Sequence, residues 1–134
     1  VEVALSANLG AGFTFNGAYT YLDAEEDGVE EVRRPESIGS AVLNWSDTSD
    51  KASVNLAVRY NGSALDSDFT TGAFPAPVTT LDAYTLVNLN ARYQLADGLS
   101  VFGRVENLLD EEYEQVFTFV APGINALFGF EARF

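Results

Sequence analysis

The 134-residue chain contains no cysteine, histidine or methionine, and only 7 basic side chains stand against 20 acidic ones. Without cysteine there is no thiol nucleophile and no disulfide framework, and without histidine as well the usual zinc sites and imidazole acid–base chemistry are excluded. Most enzyme classes leave with them. A formal charge of −13 excludes binding to nucleic acid by phosphate neutralisation, which requires a basic patch. Also missing is any apolar run of the roughly 18 residues that a transmembrane helix needs, an absence that leaves a membrane-spanning β-barrel open because its segments are short and alternating. Nothing near Val1 has the form of a targeting peptide, so the sequence reads as a mature product or, by preference, as a piece of a longer chain.

What is present is 47% hydrophobic and 13% aromatic, too apolar for a disordered acidic tail and enough for one folded unit. The hydropathy pattern has period two, the mark of extended strands with one oily side. Residues 1–9 alternate Val3, Leu5, Ala7 and Leu9 with polar or small neighbours, and 13–22 set Phe13, Phe15, Gly17, Tyr19 and Tyr21 against Thr14, Asn16 and Thr20. The same alternation runs through 38–45, 53–61, 84–93, 99–106 and 125–134. The spacing predicts an all-β chain, an antiparallel up-and-down meander of about seven long strands forming part of a transmembrane β-barrel, since strands of roughly nine to eleven residues match a tilted bilayer crossing.

Of three further patterns, the loop asymmetry and the aromatic placement favour that reading over a soluble sandwich, while the charge parity fits both. Connections alternate between short turns at 10–12, 46–51 and 95–98 and long loops at 23–36, 63–82 and 109–124, the asymmetry of outer-membrane barrels with short periplasmic turns and long extracellular loops. Every strand charge, namely Glu2, Arg59, Arg92, Arg104, Glu106, Glu131 and Arg133, falls on the polar parity. Phe13, Trp45, Tyr93 and Phe134 gather at the short-turn end of the apolar parity, and Tyr19, Tyr21, Tyr60 and Tyr84 at the long-loop end, as two aromatic girdles would. The long loops hold fourteen acids and two arginines, making one rim strongly acidic. Such a rim attracts cations or bridges to lipopolysaccharide through divalent metal, or is simply solvated surface.

The segment Asn107-Leu108-Leu109-Asp110-Glu111-Glu112-Tyr113 leaves a strand that begins Val101-Phe102-Gly103-Arg104, and is followed by Pro122-Gly123 and a terminal Phe134. Together with Tyr19-Thr20-Tyr21-Leu22-Asp23-Ala24, Arg33-Arg34-Pro35 and Leu81-Asp82-Ala83-Tyr84-Thr85-Leu86, this resembles the C-terminal end of a TonB-dependent outer-membrane receptor, nearest in flavour to the vitamin B12 and siderophore receptors. One departure is Ile124, where these receptors usually carry Arg. The resemblance implies a bacterial outer-membrane importer of metal chelates such as siderophores or cobalamin. In it residues 1–134 are the last barrel strands, and the plug domain, the TonB box that contacts TonB and the earlier strands lie elsewhere. It makes Asn107, Leu108, Asp110, Tyr113, Pro122 and Gly123 the family motif, and Phe134 the aromatic terminus read by the barrel-assembly machinery. Partners are then outer-membrane lipid, lipopolysaccharide, that machinery and the remainder of the receptor.

Phe69, Phe74, Tyr113, Phe117 and Phe119 on the long loops are the candidate ligand contacts. Arg59, Arg92, Arg104, Glu106, Glu131 and Arg133 are candidate lumen-facing charges, either meeting the plug or pairing across strands. No catalytic residue, resident cofactor or metal site is expected. Asp23 to Gly28 imitate the start of an EF-hand loop, but Arg34 occupies the twelfth position, leaving at most weak Ca²⁺ association with the acidic loops. Adjacent Glu111 and Glu112 do not face each other across a cleft as glycosidase carboxylates must. Two rival readings remain: a complete eight-stranded outer-membrane barrel of structural or adhesive role, which requires closure between first and last strands, and a soluble acidic β-sandwich binding module, which requires a second layer over the oily side.

Overall fold

A computed structural model describes residues 1–26 and 28–133. Seven long strands form one antiparallel sheet whose spatial order is their chain order: β1 (Glu2–Gly10), β2 (Phe13–Tyr21), β3 (Ser37–Ser46), β4 (Ala52–Asn61), β5 (Tyr84–Ala96), β6 (Leu99–Glu106) and β7 (Asn125–Ala132). This is the predicted meander, with β5 running three residues further than the alternation suggested. Among the described residues β1 pairs only with β2 and β7 only with β6, so the sheet is open. The closure that a complete eight-stranded barrel requires is not formed.

Register carries the two-residue alternation across the whole sheet. Leu5 pairs with Gly17, Gly17 with Ala41, Ala41 with Val58 and Val58 with Val87. Leu43, Leu56, Leu89, Val105 and Ala126 make a second such row. A one-residue slip anywhere would put oily and polar side chains on the same face, so the shared pattern fixes every pairing at once. Rows on the opposite face are polar. Asn44 Nδ2 donates to Thr14 at 3.4 Å, Asn55 Nδ2 to Asn44 Oδ1 at 2.6 Å and Asn90 Nδ2 to Asn55 Oδ1 at 3.2 Å, an amide ladder spanning β2 to β5.

No second sheet covers the apolar face among the described residues, and its side chains are bare: Phe128 and Phe130 are 76% and 77% exposed, and Val3, Leu5, Leu9 and Tyr93 are exposed too. A soluble sandwich would bury these rows, whereas here the covering layer has to be hydrocarbon. At the short-turn end Phe13 and Trp45 pair in register with ring centroids 6.3 Å apart. At the other end the Tyr19 hydroxyl lies 2.9 Å from that of Ser37. Tyr84 departs from the predicted girdle. It pairs with Asn61 on the polar face and is buried, because the apolar parity of β5 begins one residue later at Thr85. Phe134 lies outside the described residues, and so does Asp27 of the EF-hand-like stretch.

Two glycines face each other's neighbours across β6 and β7. The ring of Phe128 covers Gly103 on the apolar face, and the ring of Phe102 covers Gly129 on the polar one. A Cβ on Gly129 would come within 2.5 Å of the Phe102 ring, so the aromatic occupies the space a side chain would need.

Candidate ligand-binding loop crown

All three long connections lie at one end of the sheet, and each contains a small two-stranded ribbon that the sequence pattern did not announce: 25–26 with 29–30, 64–67 with 78–81, and 114–116 with 119–120. They are tied together at Asp66, whose side chain is 0% exposed. Arg33 of the first loop donates from Nε to Asp66 Oδ1 at 2.7 Å, and Ser67 N–H reaches the same oxygen at 2.8 Å. Phe117 N–H of the third loop donates to Oδ2 at 2.7 Å. The Arg33 N–H also donates to the Leu65 carbonyl at 2.6 Å. Burial opposes charge on Asp66, yet the donors from Phe117, Arg33 and Ser67 outweigh it and hold the carboxyl below its ordinary range. One ionised group thus fixes three segments far apart in sequence.

A second junction closes the third loop. Asn107, buried and at φ +50°, donates from Nδ2 to the Glu111 carbonyl at 2.9 Å and to the Pro122 carbonyl at 3.4 Å, while its Oδ1 accepts from Glu111 N–H at 2.9 Å. Its own N–H donates to Asn88 Oδ1 at 2.9 Å, which ties the exit of β6 to β5. Asp110 Oδ1 accepts from Ile124 N–H at 2.8 Å, and a Cβ on Gly123 would stand 2.6 Å from that oxygen. The motif residues therefore build a knot. Asparagine tolerates the left-handed backbone and supplies a donor and an acceptor at once, and glycine leaves the space that the aspartate uses. Because position 124 contributes its backbone N–H, isoleucine in place of arginine leaves this contact intact. Tyr113 stacks on Tyr84 at 4.3 Å, and Leu108 is exposed.

Aromatic and acidic groups converge under the crown. Tyr84, Tyr113, Phe117 and Val120, with Asp82 and Glu112, line a pocket of about 380 Å³. Phe69, Phe74 and Phe119 are exposed on the outer surface, whereas Tyr113 and Phe117 are half-buried in the packing between loops. The sequence-predicted ligand contacts thus divide into three free rings and two that also hold the crown together.

On the polar face Arg92 reaches over β6, donating to the Ser100 hydroxyl at 2.8 Å and pairing with Glu131 at 2.9 Å, and Arg133 meets Glu131 at 2.8 Å. Arg104 lies 3.5 Å from Glu106. Arg59 has no ion-pair partner among the described residues. Five of the six candidate charges thus form one cluster of three, Arg92 and Arg133 sharing Glu131, and one pair, Arg104 with Glu106. Among the described residues no cluster of three or more His, Cys, Asp or Glu side chains is arranged to hold a metal ion.

The profile of the family described as "TonB dependent receptor-like, beta-barrel" matches residues 1–108. The chain belongs to this family. Its strands reside in the bacterial outer membrane, in a family of transport receptors. Among curated relatives, the vitamin B12 transporter BtuB of Photobacterium profundum is 33% identical over 112 residues, covering 83% of this chain and 17% of the relative. The metal-pseudopaline receptor CntO of Pseudomonas aeruginosa is 32% identical, covering 91% of this chain and 18% of the relative. The chain thus spans less than a fifth of the length of these relatives. Among solved structures, the pyoverdine outer-membrane receptor FpvA of Pseudomonas aeruginosa superposes with a TM-score of 0.82 at 23% identity, covering 99% of this chain and 21% of that one. The ferric-catecholate import receptor Fiu of E. coli superposes with a TM-score of 0.76 at 20% identity, covering 99% and 20%. These two show the same fold.

The Asp66 junction was not legible in the sequence. Asp66 stands in an ordinary polar loop, and its partners are 33 and 51 residues away. The one available signal was Arg33-Arg34-Pro35, quoted for the family resemblance without a role.

Proposed function

We propose that this chain supplies the last barrel strands and three extracellular loops of an outer-membrane uptake receptor for a metal chelate such as a siderophore or cobalamin, driven through TonB by parts of the receptor outside residues 1–134. The observation that carries this reading is the crown: three long loops locked to one another by a buried carboxylate at one end of a family barrel sheet, presenting aromatic rings outward. The chain itself performs no chemistry and needs no resident cofactor. Weak Ca²⁺ association with the acidic loops is the most metal binding they support. Phe69, Phe74 and Phe119 meet the incoming chelate first, with Tyr113 and Phe117 beneath them. The charged polar face borders the lumen, where Arg59 faces the plug, and the apolar face meets lipid, with lipopolysaccharide at the acidic rim. Phe134 is the terminus read by the assembly machinery.

The test is uptake of labelled chelates by cells expressing the full-length receptor, wild type or with loops 62–83 and 107–124 replaced by short turns. Folded, membrane-inserted variants should lose uptake of at least one chelate. Undiminished uptake of every chelate the wild type imports would overturn the assignment of recognition to these loops, and no import by wild type would overturn the transport reading.

A further inference from the structure

On the apolar face one row across β4 to β7 is Val54, Ala91, Gly103 and Phe128 by register, and the row beside it at the short-turn end is Ala52, Tyr93, Val101 and Phe130. Small residues on β5 and β6 therefore lie between larger ones. Phe128 and Phe130 stand up on one side, Trp45 pairs with Val54 on the other, and Leu89 with Val105 bounds the deeper end. The result is a groove of about 520 Å³ with almost wholly apolar walls, within the size range of ligand sites. The Phe128 ring already lies on Gly103, where an added Cβ would stand 2.9 Å from it, so this part of the floor is fixed.

The groove opens towards the short turns. There Tyr93 brings a ring of the aromatic girdle, and Lys51 stands directly before Ala52, its carbonyl accepting from Gln94 N–H at 2.7 Å. Lys51 is the only lysine in the chain, is exposed, and lies outside the ion pairs formed among the described residues. The six arginines belong to the crown or the polar face, and the other charges of the short turns, Asp47, Asp50 and Asp97, are acids. A lysine at the hydrocarbon boundary lays its apolar stem on the wall and holds its ammonium at the level of lipid phosphates.

We infer that this groove seats one phospholipid of the periplasmic leaflet, with an acyl chain over Ala91 and Gly103 between Val54 and Phe128 and its phosphate on Lys51. The occupant follows from continuity with the lipid-facing wall. Hydrocarbon covers the whole face, and here the wall is recessed, so a chain gains contact on its floor side and both flanks where a flat row offers one. The short turns place the groove in the periplasmic half of the membrane, away from the rim assigned to lipopolysaccharide.

The experiment is photolabelling of the full-length receptor in detergent micelles with substoichiometric phosphatidylglycerol that carries a diazirine in one acyl chain, followed by mapping of labelled peptides by mass spectrometry. Label on β5 to β7 should exceed that on β1 and β2 by at least about tenfold and disappear under excess unlabelled phosphatidylglycerol. Ala91→Phe, at an exposed position, fills the groove and should abolish the excess, whereas Leu5→Phe, the same enlargement outside it, should leave the excess intact. Lys51→Gln, in a turn, should lower the excess about fivefold. Even labelling of all strands, or an undiminished excess in either folded groove variant, would overturn the site, and lipid A competing as well as phosphatidylglycerol would overturn the choice of phospholipid. Neither chelate nor transport enters the measurement, so its outcome is separate from that of the uptake test.

Discussion

The sheet and the loop crown obey opposite packing rules. Along the sheet, large apolar side chains stay exposed and neighbouring strands do little more than align them, because lipid is the second layer. In the crown the chain has to supply its own interior, and of the seven buried residues among those described, Ala64, Leu81, Tyr84, Asn61, Asp66 and Asn107 lie there or at its base, with Ser100 at the far end. Polar groups hold much of that interior. The membrane part is specified mainly by repetition, with singular contacts at pairs such as Phe128 on Gly103 and Phe102 on Gly129, whereas the crown depends throughout on a few contacts between particular residues.

The largest way to break this contrast is Asp66→Ala. Removing the carboxylate leaves the Phe117 and Ser67 N–H groups without their acceptor, at a cost of about 1–3 kcal/mol for each N–H left unpaired, while water takes over the half-exposed Arg33 guanidinium. Hydrogen exchange on the receptor should show amide protection falling across loops 22–36, 62–83 and 107–124 while the interstrand amides of β3, β4 and β5 exchange as before. Equal loss of protection in the sheet would mean the two regions are one cooperative unit.

Next in size is a pair of substitutions one residue apart on β4. Leu56→Arg places a charge on the lipid side near mid-strand and should cost about 2–4 kcal/mol, whereas Asn55→Arg adds the same charge on the polar side and should cost about 1 kcal/mol, the worth of the ladder bonds it breaks. Urea titration of receptor refolded into lipid vesicles compares the two, and similar penalties would contradict the assignment of faces.

That assignment was legible because period two is redundant: seven strands repeat one rule, and an error in any strand breaks alignment with each strand beside it. Tyr84 shows the limit. The alternation through Thr85, Val87, Leu89 and Ala91 already puts Tyr84 on the other parity, and grouping it with the girdle by its residue type and its place at the strand end ignores that phase. The crown was illegible for a different reason. Its contacts join residues 33, 66 and 117, each in a segment with no periodicity, and a single sequence does not say which loops touch. The knot at Asn107 was readable as a motif, but its purpose, two carbonyls and an N–H served by one amide, required the backbone geometry.

A smaller effect follows for Asn107→Leu, which removes the amide while retaining much of its volume. The Glu111 and Pro122 carbonyls and the Glu111 N–H lose their partner, costing about 1–3 kcal/mol, and leucine also strains the left-handed backbone. The loss should appear as faster exchange confined to 107–124, with the Arg33–Asp66 contact retained. Spread of the effect into 22–36 would show that the two junctions are coupled.

The finest separation of the two ends comes from pH. Asp66 and Asp47 both have carboxyls held below the ordinary range, Asp66 by donors from three segments that outweigh its burial and Asp47 chiefly by the Ser49 hydroxyl within one short turn. For a carboxylate whose folded pKa is depressed, the stabilisation is complete above the unfolded value of about 4 and is lost as pH falls through the lower folded value. Acidification below about pH 4 should therefore loosen the crown, because protonating Asp66 weakens its hold on Arg33, Phe117 and Ser67 together, while protonating Asp47 relaxes only residues 47–49. Pepsin cleavage after Phe117 or Phe119, taken as a ratio to cleavage of Asp66→Asn at the same pH, removes the protease's own pH dependence. The ratio should start well below one at the upper end of pepsin's range and rise towards one as pH falls. A ratio that stays flat would mean that the charge on Asp66 does not hold the loops, and that the crown rests on the Asn107 and Asp110 junction and on the packing of Tyr84 and Tyr113.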